Sequence, residues 1–417
     1  MFRGKESSST IASLRDMALH SKQYAMVALG GLGLTGGRAP SGPLQAQIGI
    51  CDPCNHECVF CWDHPPDDRQ NADTEHRFGL KPAGVMPLAT FEGIVDDLHR
   101  LGTRRIDLIG RGEPLLNRSA LDMIRYAKGR GFQVLLCSNA SKLSDRIAQG
   151  MVSAGLDRMN VSLNAGTPEN YPNIHVTETP ENYRKVKQNL RRLADLKAAA
   201  KSSVPFVSLS FVITAKNYFE IGSMVEVAGE VGAEEAAFVH TTLHAGTADL
   251  ALSQEQYHEL MASIPAAHSR AAALGVQTNL DTFAATVPTY LKDELVGPAV
   301  VPCYVGWYFT VVLGNGSVMP CCQCSEPLGA VSEERRFADV WASADYAAFR
   351  KAAKGLPRQN ERLQSCECDR CQLRPRNIAI HNFLHPLNPI DGGEGVQTFT
   401  PKDVLKKLQG QHGPRSA

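Results

Sequence analysis

The chain has 417 residues, 43% of them apolar and 21% charged, and its 43 basic residues balance 43 acidic ones. That length exceeds what one compact core organises, so two domains, or one large domain with an appendage, are expected. A formal net charge of zero argues against broad nucleic-acid binding, which leans on surplus Lys and Arg, and no apolar run reaches the ~18 residues of a membrane span.

The first apolar run, "AMVALGGLGL" (25–34), lies too deep for a signal peptide, has no basic flank just before it and is rich in glycine. It reads as a packed strand or loop, and without a targeting signal the expected location is the cytoplasm. From residue 44 onward, short apolar runs alternate with amphipathic ones. Strands are predicted at 44–50, 104–110, 132–138, 158–164, 206–214 and 235–242. Helices between them, such as 90–102 and 120–131, show 3.6-residue apolar spacing and end in glycine. The basic run "RKVKQNLRR" (184–192) fits the solvated face of one such helix. Six strand–helix alternations predict a parallel α/β sheet, read here as a partial (β/α)6 barrel. A helix at 253–274 and a further strand at 276–281 follow. Beyond a Pro-containing connection near 288–302 the character changes. "YFTVVLGNGSVMP" (308–320) reads as a hairpin turning at Asn315-Gly316, and 337–354 reads as one helix. The expected division is an N-terminal extension over 1–43, the barrel over 44–299, a small cysteine-rich domain over 300–385 and a tail over 386–417, with both ends peripheral.

Eleven of the twelve cysteines fall in two groups, 51–61 and 303–371, with Cys137 alone between them. In a cytosolic chain such grouping favours metal or cluster ligation over disulfides. Cys54, Cys58 and Cys61 are separated by three and two residues, in the loop after the first strand, where α/β barrels carry their active sites. A structural zinc site wants four ligands. Three thiolates leave one coordination position open.

This CxxxCxxC arrangement resembles the signature of the radical S-adenosylmethionine (radical SAM) superfamily. The resemblance implies a [4Fe–4S] cluster on Cys54, Cys58 and Cys61, whose fourth iron binds SAM. Reductive cleavage of SAM then yields a 5′-deoxyadenosyl radical that abstracts a hydrogen atom. It is carried further by Phe60, at the family's adenine-contacting position, and by "GRGEP" (110–114), similar to the Gly-Gly-Glu-Pro segment whose backbone meets the SAM amino group. Gly112, Glu113 and Pro114 match, while Arg111 makes the form Gly-x-Gly-Glu-Pro. Ser138 and Asn139 stand where the family approaches the ribose, and Ser162 and Asn164 are further cofactor-contact candidates. Cys51 reads as a bystander and Cys137 as a small buried hydrophobe. A zinc triplet completed by His56 is the competing reading.

Cys303 and Cys321, separated by twelve residues, Gly316 and four more, resemble the start of the auxiliary-cluster domains called SPASM and, in shortened form, twitch. With Cys368 and Cys371 they give four thiolates for one auxiliary [4Fe–4S] cluster. A full SPASM domain implies further cysteines where Asn377 and His381 stand, which points to the single-cluster form. Cys322, Cys324 and Cys366 are left open as substitutes, members of a second cluster or bystanders. A zinc ribbon on the same four residues is the alternative.

The resemblance implies a radical SAM enzyme supplied by a low-potential electron donor such as flavodoxin or ferredoxin. The expected substrate is a small molecule, because an end domain for peptide recognition is not evident, and dehydrogenation is the expected reaction. A maturase acting on a ribosomally made peptide is the second reading, and a non-catalytic zinc-binding interaction protein belongs to a different class. His240, Thr241, Thr242 and His244 are candidate substrate contacts at the sixth strand's mouth, with Arg111 and Asp281 as further cavity-facing candidates.

Overall fold

The structure, a computed structural model, describes residues 23–66, 84–243, 246–286, 301–358, 360–368, 371 and 373–390. His244 and the tail beyond 390 lie outside the described residues. Seven strands follow one another in parallel: β1 (Gln45–Ile48), β2 (Arg105–Leu108), β3 (Gln133–Ser138), β4 (Arg158–Ser162), β5 (Phe206–Ile213), β6 (Glu235–His240) and β7 (Gln277–Thr278). The helices between them are α2 (Leu88–Arg100), α3 (Ala120–Gly129), α4 (Asp145–Ala154), α5 (Tyr171–Ile174), α6 (Pro180–Ala199), α7 (Ile221–Val231) and α8 (Gln254–Leu274); α1 spans 23–31 and α9 is Leu280–Thr286. Their ends are set locally. Ser144 and Thr179 cap α4 and α6, Ser253 and Gln256 form a capping box on α8, and Gly155 and Gly275 close α4 and α8 in the left-handed region.

Along each strand the side chains alternate between two environments. Ala46, Ile48, Ile106, Leu108, Val134, Leu136, Met159, Val161, Leu209, Phe211, Ala236 and Phe238 pack into the large core with the helices. The opposite positions include Gln47, Asn160, Ser162 and Ser210, all half-buried. Nearer the strands' amino ends this second face carries charge. Arg105 binds Asp107 at 2.9 Å, and Arg158 pairs with Asn160 and Glu235. The face turned away from the helices therefore mixes these polar and charged side chains with Leu135, Cys137, Ala237 and Val239. The basic run 184–192 lies on the outside of α6, where Arg192 meets Asp145 at 3.1 Å and Val186 and Leu190 face inward.

The predicted hairpin does more than decorate a separate domain. After α10 (Val305–Tyr308), β8 (Phe309–Val312) pairs in parallel with β1, and β9 (Ser317–Met319) and β10 (Gly329–Ala330) continue antiparallel. The ten-stranded order is β10-β9-β8-β1-β2-β3-β4-β5-β6-β7, and among the described residues no pairing links β7 to β8, so the barrel stays open. Val312 and Val318 join the barrel core, whereas Phe309, Val311, Leu313 and Met319 belong to a second core that holds the C-terminal cysteines.

Two expectations are corrected. The run 25–34 is helical through residue 31, and Gly30 lets that helix press on the Trp307 ring, which a Cβ would meet at 2.2 Å. The stretch 337–354 is two helices, α11 (Phe337–Trp341) and α12 (Ala344–Lys354), because Ser343 caps the second and ends the first. Nor is the segment from 23 to 43 peripheral. Buried Arg350 on α12 donates to Gly37 O, Gly306 O and Trp341 O, and stacks between the Trp341 and Tyr346 rings at 4.4 and 4.5 Å. Replacing it with Met strands three carbonyls, each costing about 1–3 kcal/mol when buried and unpaired. Arg350→Met is expected to lose roughly 4 kcal/mol net, since burying the charge also carried a cost, and thermal unfolding of the purified protein measures it. The last helix, α13 (Arg374–Leu384), follows the cysteines. Among the described residues no helix is long and apolar enough to cross a membrane.

Candidate active site

Cys54, Cys58 and Cys61 lie on one loop at the carboxyl end of β1. That loop is pinned against the segment after α5: Val59 N donates to Ile174 O at 3.0 Å and Val176 N to Glu57 O at 2.9 Å, so Cys58 and His175 stand opposite each other in a short antiparallel bridge. His175 Nε2 faces Leu163 O at 3.1 Å. A carbonyl only accepts, so Nε2 carries the proton and Nδ1 accepts from the Cys58 thiol, 3.1 Å away. His64 N donates to Cys61 Sγ at 3.2 Å, and the His64 ring donates to Asp52 O at 2.7 Å. Cys51 donates to Pro53 O, and Cys137 sits beside Ser162 Oγ at 3.7 Å.

Burial pushes all three thiols of the triplet up, Cys61 to about 12. Neighbouring negative charge adds to it, from Cys61 and Cys54 on Cys58 and from Asp63 on Cys61. The positive charge of an iron cluster would favour the thiolate forms of these three cysteines. Among the described residues no three His, Cys, Asp or Glu side chains are gathered tightly enough to grip a single metal ion. His56, the zinc alternative's fourth ligand, packs edge-on against Tyr171 and His175 with Nε2 3.3 Å from Glu178, and burial holds it neutral down to about pH 4.

The turn after β2 presses on this loop. Glu113 N donates to Pro53 O at 3.0 Å, and its carboxylate accepts from Leu115 N, Ser138 Oγ and Asn139 N at 2.9, 2.7 and 2.8 Å. Burial raises Glu113's carboxyl, against the pull of those three donors. Asn139 also donates to Asn55 Oδ1, closing a polar ring between the β1 and β3 loops. Phe60 is half-buried against the small cluster of Val59, Ile174 and Leu250, on which Leu243 also packs. The structure thus gathers the triplet, Phe60, Gly112, Glu113, Pro114, Ser138 and Asn139 at one end of the barrel. Ser162 lies on the face turned away from the helices. Asn164 has a positive φ of 58°, and its side-chain oxygen is held by Val212 N.

The remaining candidates are dispersed. His240 stacks on Phe283 at 4.1 Å and bonds to its carbonyl. Thr241 is buried beside it in the chain. Asp281 does not face a cavity: it is exposed and pairs with His268. Arg111 turns onto Asp63 at 2.7 Å, both buried. Asp63 and His64 closely follow the triplet and were open to a local reading. His175 is 117 residues from Cys58 and carries no local signal.

In the second group, Cys303, Cys321, Cys368 and Cys371 line one apolar pocket together with Cys324 and Cys366. Burial raises Cys303 and Cys321 far above the usual thiol range and Cys371 to about 11, and mutual repulsion among them, Cys322 and Cys368 adds to it. Cys324 and Cys366 face each other across a bridge and are joined as a disulfide, with Cys321 Sγ 3.7 Å from Cys324. Asn377 accepts from Tyr304 N and donates to Cys303 Sγ at 3.7 Å, and His381 accepts from the Tyr304 hydroxyl.

The family model described as the radical SAM superfamily matches residues 49–210, and a second, the SPASM iron-sulfur cluster-binding domain, matches 303–372. The chain is a radical SAM enzyme with a SPASM domain. A radical SAM domain binds a [4Fe–4S] cluster and SAM, and a SPASM domain binds auxiliary iron–sulfur clusters. This radical SAM enzyme is 26% identical over 268 residues to a probable GTP 3′,8-cyclase of Metallosphaera sedula, covering 63% of its own chain and 75% of the relative. To the AdoMet-dependent heme synthase of Methanosarcina barkeri it is 24% identical over 339 residues, covering 77% and 86%. Its fold is similar to that of Streptococcus suis SuiB bound to S-adenosylmethionine, with a TM-score of 0.55, 15% identity and coverage of 79% and 72%.

Proposed function

We propose that Cys54, Cys58 and Cys61 hold the SAM-ligating cluster, that the 112–114 turn with Phe60, Ser138 and Asn139 seats SAM, and that Cys303, Cys321, Cys368 and Cys371 hold one auxiliary cluster. When bound, these groups would supply one-electron cleavage of SAM for hydrogen-atom abstraction and an acceptor for the electron that the substrate releases with a proton. The chain's own contribution is placement. The Glu113 carboxylate fixes the β2 and β3 loop ends, and the half-buried Gln47, Asn160, Ser162 and Ser210 give the lumen hydrogen-bonding walls.

The hydrogen-bonding side chains on that mixed face carry the substrate reading: a hydroxylated small molecule, oxidised by loss of two hydrogens. A second reading, a peptide substrate, is favoured by the likeness to SuiB bound to precursor peptide SuiA, with a TM-score of 0.55. Oxygen-free protein given dithionite, or reduced flavodoxin or ferredoxin, is expected to form 5′-deoxyadenosine from SAM. Carbon-deuterated polyols should pass deuterium into that product. Transfer from deuterated peptides and from no polyol would overturn the small-molecule reading in favour of the second.

A further inference from the structure

Residues 53 and 63 flank the cysteine triplet, and both are fastened to the same turn. At one end, Pro53 O accepts from Glu113 N at 3.0 Å. At the other, Asp63 Oδ1 accepts from Arg111 Nε at 2.7 Å, with the two side chains only 8% and 2% exposed. Beside the first fastening the loop touches the turn closely: a Cβ on Gly112 would come within 2.1 Å of Pro53 O and 2.2 Å of Asp52 O. Arg111 stands in the x position of the Gly-x-Gly-Glu-Pro form, where the resemblance has a glycine. A buried ion pair is a poor source of stability, because desolvating two charges offsets most of their attraction. What it supplies is geometry: the guanidinium accepts few orientations about its carboxylate partner.

We infer that Arg111 and Asp63 are positioning residues that hold the cysteine loop and the 110–114 turn at the separation SAM needs. The inference rests on the proposed SAM seat and assigns a role that the cysteines and Gly112-Glu113-Pro114 do not fill. Asp63 bonds to Cys61 through its backbone amide, which an alanine keeps, while its carboxylate reaches Arg111. Losing the side-chain pair should leave iron loading intact while loosening the fit of a ligand that bridges loop and turn.

The test compares wild type, Arg111→Ala, Asp63→Ala, the double variant and the milder Arg111→Lys, each reconstituted without oxygen. Iron and sulfide content, SAM affinity by equilibrium dialysis, and the change that SAM makes in the electron paramagnetic resonance of the reduced protein are measured. The single alanine variants are expected to keep wild-type iron and sulfide, bind SAM at least tenfold more weakly and show a blunted SAM-dependent spectral change. The double variant should be no worse than either single, and Arg111→Lys should recover part of the affinity. SAM affinity within twofold of wild type in both singles would overturn the inference. So would iron loss in step with affinity, which marks a role in folding the loop alone. A wild-type protein whose spectrum ignores SAM would instead overturn the proposed function, and this inference with it.

Discussion

Cys58→Ala is expected to abolish 5′-deoxyadenosine formation, to below about one thousandth of wild type, because losing one of three thiolates removes the cluster and does not merely weaken it. Cys58 is the sharpest choice of the three. Its backbone lies opposite His175 and its thiol reaches that ring, so the alanine loses a ligand while Val59, Ile174 and the bridge between the segments keep the loop in place. The variant should fold and retain the iron of the C-terminal site. Iron analysis beside product analysis checks this, and product formation that survives the substitution refutes the assignment of the triplet.

The second large effect is expected from one methyl group. Gly112→Ala would set its Cβ 2.1 Å from Pro53 O and 2.2 Å from Asp52 O. Both neighbours are backbone, so no flexible side chain can swing aside, and the cysteine loop must shift bodily. Overpacking of this kind costs about 1–3 kcal/mol, and misplacing reacting groups by roughly an ångström costs about 100-fold in rate. A melting point a few degrees lower together with a roughly 100-fold slower SAM cleavage is therefore expected. Gly93→Ala on α2 is the control. Beyond its own helix backbone and chain neighbours, no atom of the described residues lies within 4 Å of its Cβ position, and Ala propagates a helix better than Gly, so both measurements should hold or improve. An unimpaired Gly112→Ala would mean that the loop and the turn are not held as closely as described.

What the sequence disclosed was whatever is written locally. The alternation of Ile106 and Leu108 with Asp107, or of Met159 and Val161 with Asn160, marks strands with one buried face, and it placed all six predicted strands to within a few residues. The triplet at 54, 58 and 61 is likewise legible because its spacing lies inside one loop. What escaped was set by distant partners. Gly30 and Gly31 close the helical part of the run at 25–34, and glycine is a poor helix former. Nothing local therefore announced α1, whose glycines fit against Trp307 and Tyr304 far along the chain. The pairing of β8 with β1 joins residues more than 250 apart, and ladder register over that distance leaves no mark on either segment. His175 and the Arg111–Asp63 pair escaped for the same reason. The break at Ser343 was legible in principle: a serine whose side chain accepts from Tyr346 N is a local capping signal.

The shared strand β8 has a consequence for how this protein can be rebuilt. Its Val312 side belongs to the barrel and its Val311 side to the C-terminal cysteines, and Asp52 in the first cysteine loop accepts from Gly314 N in the turn that follows. The two cysteine-bearing regions are therefore not beads on a string. Swapping either for a relative's counterpart would strip β1 of its neighbour and leave a raw sheet edge open to aggregation. Within the intact protein, the separation of the two cysteine groups is fixed by the sheet's own hydrogen bonds and not by a hinge.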